Sequence, residues 1–361
     1  MKLGTIYSAS DKSLYDALNQ SNVTNADLRS LFLSRGILVS SDSNRKHLAK
    51  HFARLFHDYR DYQALARLFG GSVQREKIST LRIETKASIS DFQTAAFELK
   101  GVLENDGAKV RVHTASGTRL DIEVRYTKVH FNKSEFRQVA VKNATLTFFF
   151  ENEHIVVHGP NVDEVQEWVD EIAKIVREKT AKEVLFKEIR LPITMDPIAK
   201  TAFFTKLIKS MVGFSLKDVS DIFVAKAKHW SETSIDDNEE IVGKPEIRID
   251  KASLRGRGVL ESAELELLEK RGFYVWRIIW TATPNVPDAD IYEFEAQFSK
   301  ADECADFAYL PRGFYKFLAL GTHNVSRTSF SPDEEIKYGK LIEAAARTIF
   351  NTLPGHGYEQ T

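Results

Sequence analysis

Cysteine is nearly missing: Cys304 stands alone among 361 residues, so no intrachain disulfide can close and a reducing, cytoplasmic setting is expected. Uninterrupted apolar runs of the roughly 18–20 residues that span a bilayer do not occur. The opening residues, Met1 to Tyr7, hold no apolar stretch of signal-peptide length, so no membrane partner is expected. Proline (9) and glycine (18) are sparse, and 43% of residues are hydrophobic, which excludes collagen-like and disordered chains. Neither sign of charge is in excess: 50 Lys+Arg face 51 Asp+Glu, for a formal net charge of -1. Such a chain does not coat nucleic acid over its whole surface, although a basic module can sit beside an acidic one. A Walker A loop, a G-x-S-x-G elbow, an H-E-x-x-H helix and a cysteine pair are all lacking, so no catalytic residue, cofactor or metal is expected.

What is there is a change of periodicity. At roughly 100–200 residues per domain, the length suits two or three domains. Residues 1–72 read as a helical docking domain. Asp11 opens one helix, Asn25 caps a second that stops at Gly36, and a polar patch at Ser40 to Ser43 leads into a third. That third helix carries Leu48, Phe52, Leu55 and Phe56 at one-face spacing. A fourth, Tyr59 to Phe69, ends at a Gly70-Gly71 linker.

Residues 76–181 read as an α+β domain. A strand over Lys77 to Thr85 precedes a helix bearing Phe92, Ala96, Leu99 and Leu103. Strands follow at Val110/Val112, at Leu120, Ile122, Val124 and Tyr126, and at Arg137 to Phe150 and His154 to His158, before a helix from Val162 to Val176. Residues 182–361 repeat the order as a second α+β domain. Val184 to Arg190 reads as a strand, Pro197 opens a helix, and a further helix runs from Leu216 to Lys228. Glu232 to Glu240 is an acidic loop, and strands are expected at Glu246 to Ile249, Glu264 to Leu268, Phe273 to Trp280 and Ile291 to Phe298. A helix from Pro332 to Leu353 closes the domain, followed by a frayed tail. The fold class expected is therefore α+β: two strand–helix–antiparallel strands–helix segments, as a pseudo-repeat forming one curved sheet with helices on one face. This element order is similar to that of TATA-binding-protein and helix-grip folds.

The stretch Thr24 to Leu55 combines an Ala26-Asp27-Leu28-Arg29 opening, Leu31 and Leu33 in the first helix, an Arg35-Gly36-Ile37 exit and a second helix with a basic start and Leu48. In these features it resembles the helix-extension-helix modules of the SAP and LEM type. SAP modules bind DNA and LEM modules bind a protein partner, so the resemblance implies a docking unit. The residues themselves agree with a phosphate ligand. Between Ser21 and Arg75 nine basic residues face four acidic ones. Lys46, Lys50 and Arg54 follow one another at i+4, a stripe of cations that can track a phosphate backbone. Candidate nucleic-acid-binding residues are Arg29, Arg35, Arg45, Lys46, Lys50 and Arg54, with Arg255 and Arg257 flanking the Gly256/Gly258 turn.

His47 and His51 share a helical i+4 spacing without a third ligand nearby, and His154 and His158 share it on a strand, where four residues span about 13 Å, too far for one ion. Asp288, Asp290, Glu293 and Glu295 loosely follow the acid-x-acid pattern of metal-dependent nucleases; the blander reading is a charged loop and a solvated sheet face. Asp121 and Glu123, with Arg119 and Arg125 on the same strand, read as cross-strand ion pairing. Tyr274, Trp276, Ile278 and Trp280 share one strand face and are expected in the core; the alternative is a stacking platform for bases. The leading reading is a non-catalytic nucleic-acid-binding protein, with DNA favoured over RNA. The alternatives are a protein-interaction or scaffold subunit, for which an oligomer is compatible, and a metal-dependent nuclease.

Overall fold

The computed structural model describes residues 10–20, 23–58, 61, 65, 76–115, 117–130, 139–151, 154–227, 250–319 and 321–353. The helix expected at 59–69 with its glycine linker, the acidic loop at 232–240, the strand at 246–249 and the tail at 354–361 lie wholly or mostly outside these residues. The architecture is α+β: an N-terminal helical region, then strands and helices that form an open sheet. Among the described residues no helix is long and apolar enough to cross a membrane. The chain divides into two units, one of residues 1–75 and 89–146, the other of residues 76–88 and 147–361.

The first unit opens with α1 (Asp11–Leu18), α2 (Asn25–Leu33) and α3 (Arg45–Ala53). α2 starts where Thr24 and Asp27 form a reciprocal capping box, satisfying two N–H groups the helix itself leaves open. Leu14, Leu18, Leu28, Phe32, Leu48 and Phe52 close a small core, with Phe32 meeting Phe52 edge-on at 5.2 Å. The unit also holds α4 (Ile89–Asn105), whose Phe92, Ala96 and Leu99 are buried, and the hairpin of β2 (Lys109–Ala115) and β3 (Arg119–Val129). Asp121 of β3 is buried and paired with Arg119 at 2.9 Å and with the cross-strand His113 at 3.3 Å. β4 (Val139–Glu151) begins here and ends in the second unit.

In the second unit the strands are β1 (Ile78–Thr85), β5 (His154–Pro160), β6 (Val184–Lys187), β7 (Phe214–Lys226), β8 (Lys251–Arg255), β9 (Phe273–Pro284), β10 (Ile291–Lys300) and β11 (Ala305–Tyr315). From the end of β4 the order is β4-β5-β1-β11-β10-β9-β7-β8, with β6 also on β1. Every pairing in it is antiparallel. The helices are α5 (Asp163–Thr180), α6 (Pro197–Lys209), α7 (Ala263–Lys270) and α8 (Pro332–Thr352). α6 sets Phe203 and Phe204 against Phe298 and Phe307, and α8 sets Tyr338 against Tyr292 and Phe294. Tyr274, Ile278 and Trp280 are fully buried and Trp276 packs against the same cluster, so the aromatic face of β9 is core.

Three local expectations are corrected. Leu216 to Lys228 belongs to a strand, β7, and not to a helix. Register shifts against β9 between Leu216 and Asp218 and between Val219 and Asp221 leave Lys217 and Ser220 without partners. The core-facing residues therefore recur at Leu216, Val219 and Ile222, a spacing of three that imitates a helix. Glu264 to Leu268 is helical, within α7, despite its alternation: Ser262 caps it and Glu264 and Glu266 occupy the first turn, where acids favour the helix dipole. β11 has no counterpart among the expected strands, since Pro311, Gly313 and a bulge break its pattern.

Candidate functional site

α3 is held by two features of its sequence. Asn44 caps it, its side chain accepting from the Lys46 amide at 2.9 Å, and Leu48, Ala49, Phe52 and Ala53 are buried on one side. The opposite side is consequently fixed outward, and Lys46, His47, Lys50, His51 and Arg54 are exposed. Successive members of the Lys46, Lys50, Arg54 stripe lie about 6 Å apart along the helix axis, close to the rise of two nucleotides in one DNA strand, about 7 Å. None of the three forms an ion pair among the described residues, and α3 carries no acid of its own.

The other basic residues of this module are already engaged. Arg29 donates to the Ser41 carbonyl and so closes the connector between α2 and α3. Arg35 lies 5.3 Å over the Phe52 ring and donates to the Phe56 carbonyl, to His57 Nδ1 at 2.9 Å and to Asp61 at 2.5 Å. His57 is held below its ordinary pKa chiefly by burial. Arg45 is partly buried, with Nε and one terminal nitrogen lacking acceptors among the described residues. Of the six, the structure brings Lys46, Lys50 and Arg54 together on one open surface.

Arg255 and Arg257 belong to the other unit. Arg255, 85% exposed, pairs with Asp221 at 3.1 Å. The glycines between and after them serve the turn: Gly258 is left-handed (φ 65°) and its amide donates to Asp218 at 3.0 Å. Arg257 is exposed.

The four acids weighed for metal do not converge on open space. Asp290 accepts from the Phe317 amide at 2.7 Å. Glu293 and Glu295 are buried on β10 and face cations contributed by separate parts of the chain. Arg312 donates through Nε to Glu293 at 2.6 Å and through Nη1 to Glu295 at 2.7 Å; Arg277 lies 2.8 Å from Glu295, and Arg327 pairs with Glu293. Burial pushes the Glu295 carboxyl up, but Lys77, Arg277 and Arg312 outweigh it and hold the group below its ordinary pKa. No group of three or more His, Cys, Asp and Glu suited to a metal ion occurs among the described residues. Sequence reasoning named the acids and missed Lys77, Arg277, Arg312 and Arg327, because these reach the acids only when segments distant in the chain meet.

The same module also leaves apolar side chains in the open: Leu38 is 86% and Phe56 99% exposed. No protein-family model matches the chain, and no curated protein matches its sequence.

Proposed function

We propose that the protein binds nucleic acid, DNA in preference to RNA, through the outward face of α3, without catalysing a reaction on it. The observation that carries this reading is the unneutralised stripe of Lys46, Lys50 and Arg54, exposed on a helix whose opposite face is locked into a core. The resemblance of Thr24 to Leu55 to SAP-type modules supports the same ligand. The mechanism is electrostatic: each cation displaces a condensed counterion from the backbone, so binding weakens as salt rises.

The test is fluorescence anisotropy of a short labelled duplex with the full chain across a salt series. Three phosphate contacts give a log–log salt slope of about -2.7 from this stripe alone. Lys46→Gln, Lys50→Gln and Arg54→Gln together should remove that part of the slope. No binding at low salt, or a slope unchanged in the triple variant, overturns the reading.

A second reading, a protein-docking module, is favoured by exposed Leu38 and Phe56. It predicts that Leu38→Asp abolishes partner binding while the triple glutamine variant leaves it intact.

A further inference from the structure

A cleft of about 450 Å³ in the second unit is lined by α8 together with β1, β4 and β5. Its volume is that of a small-molecule site. Three cations reach it, Arg82 from β1 and Lys340 and Arg347 from α8, against two carboxylates, Glu151 and Glu343. Both carboxylates are already engaged. Glu343 accepts from Arg347 Nε at 2.6 Å, and Glu151 lies 2.7 Å from His154 Nε2, whose Nδ1 in turn meets an Arg82 guanidinium nitrogen at 2.6 Å.

What is left over carries one sign. Lys340 forms no ion pair among the described residues; its ammonium rests 4.1 Å over the Phe149 ring. Arg347 Nη2 and Arg82 Nε are buried with no acceptor among the described residues. His158 is only 9% exposed, lines the cleft and makes no hydrogen bond among the described residues, its ring edge-on to Phe149 at 5.2 Å. Burial, seconded by the Lys340 charge, pushes the His158 imidazole down to about 4. A buried polar group without a partner is unfavourable, and the two guanidinium nitrogens left unmet here are donors that call for an acceptor, while the neutral His158 ring can add one N–H.

We propose that this cleft binds a small phosphomonoester, its phosphate held by Lys340, Arg347 and His158 and its organic part lying on Phe149 and Val156. A phosphate offers three terminal oxygens to three donors that approach from α8 and β5, whereas a carboxylate offers two oxygens to the same set. The apolar lining gives the rest of the molecule a surface that inorganic phosphate does not use. The proposal is independent of the α3 stripe.

The test follows the Hε1 resonance of His158 in the full chain, assigned by its loss in His158→Gln, during titration with inorganic phosphate, AMP and adenosine. Inorganic phosphate should shift it saturably in the millimolar range, roughly up to 10 mM. AMP should bind at least about threefold more tightly, and Lys340→Gln, at an exposed position, should weaken both by about tenfold. No saturable shift with phosphate or AMP, or an equal shift in Lys340→Gln, overturns the proposal. AMP binding no tighter than phosphate removes its apolar half, and adenosine binding as tightly as AMP removes the phosphate.

Discussion

Lys77 Nζ stands 2.7 Å from Glu295 Oε1, joining the residue that leads into β1 to the middle of β10. The carboxylate is 2% exposed and meets Arg277 and Arg312 as well, so three cations converge on one buried anion. Removing it leaves those charges uncompensated in a region of low dielectric. Glu295→Ala should cost about 3–5 kcal/mol, read as a fall in the denaturant midpoint at unchanged slope.

The same carboxylate predicts an acid limb. Its folded pKa is held below the ordinary 4.5, so its contribution is complete above that value and is lost as pH falls through the folded value. Melting temperatures measured from pH 6 down to about 3 should fall less steeply in Glu295→Gln than in the wild type.

His158 acts over a different window. Its folded pKa of about 4 lies below the ordinary 6.5, so the unfolded chain binds the extra proton first as pH falls. Stability attributable to this residue is full above 6.5 and declines toward 4, by about 3 kcal/mol at most. Thermal melts at pH 7 and pH 5 should differ less in His158→Gln than in the wild type.

Arg35 and Lys50 belong to the same helical module and differ in how they are engaged. Arg35 anchors the chain after α3 through Phe56, His57 and Asp61, whereas Lys50 is exposed and forms no ion pair among the described residues. Arg35→Met should destabilise the helical module by about 2 kcal/mol, seen as faster amide exchange in α2 and α3, while Lys50→Gln stays within about 0.5 kcal/mol.

Gly313 is a position where no side chain fits. Its φ is +136°, and a Cβ would fall inside contact distance of the Thr328 carbonyl oxygen. Gly313→Ala should destabilise by roughly 3 kcal/mol, checked by chemical denaturation.

The parts of the fold legible in the sequence are those where one local rule acts alone. Tyr292, Phe294, Ala296 and Phe298 alternate along β10, and the same residues meet Phe214, Phe203 and Phe204 in the core. Pro332 announces α8, and the structure adds a capping box between Ser331 and Glu334 at that start. Illegible parts are those where two rules compete: the extra residues of β7 convert a strand's period into a helix's, and the Glu/Leu alternation of α7 hides strong helix formers behind a strand's pattern. At the candidate site, α3 and its outward cations could be read directly, since helical spacing is local. The engagement of Arg29 and Arg35 could not, because their acceptors lie in loops beyond α2. His154 and His158 lie on one strand, β5. Their shared face became meaningful only once α8 supplied Lys340 and Arg347.

Arg312 occupies an unusual place in the ladder between β10 and β11. Glu293 is opposite Gly313 and Phe294 opposite Pro311, so Arg312 is the residue with no partner. Pro311 and Phe314 can share a face, with Phe314 stacked 5.9 Å from Tyr292, because this extra residue resets the parity of the strand. Deleting Arg312 would leave every pairing partner in place while stripping Glu293 and Glu295 of a shared cation. Chain length at this one point is therefore tied to charge on the neighbouring strand. Related sequences that lack the residue should show a single gap there, with Glu295 still matched by Lys77 and Arg277 and Glu293 by Arg327 alone.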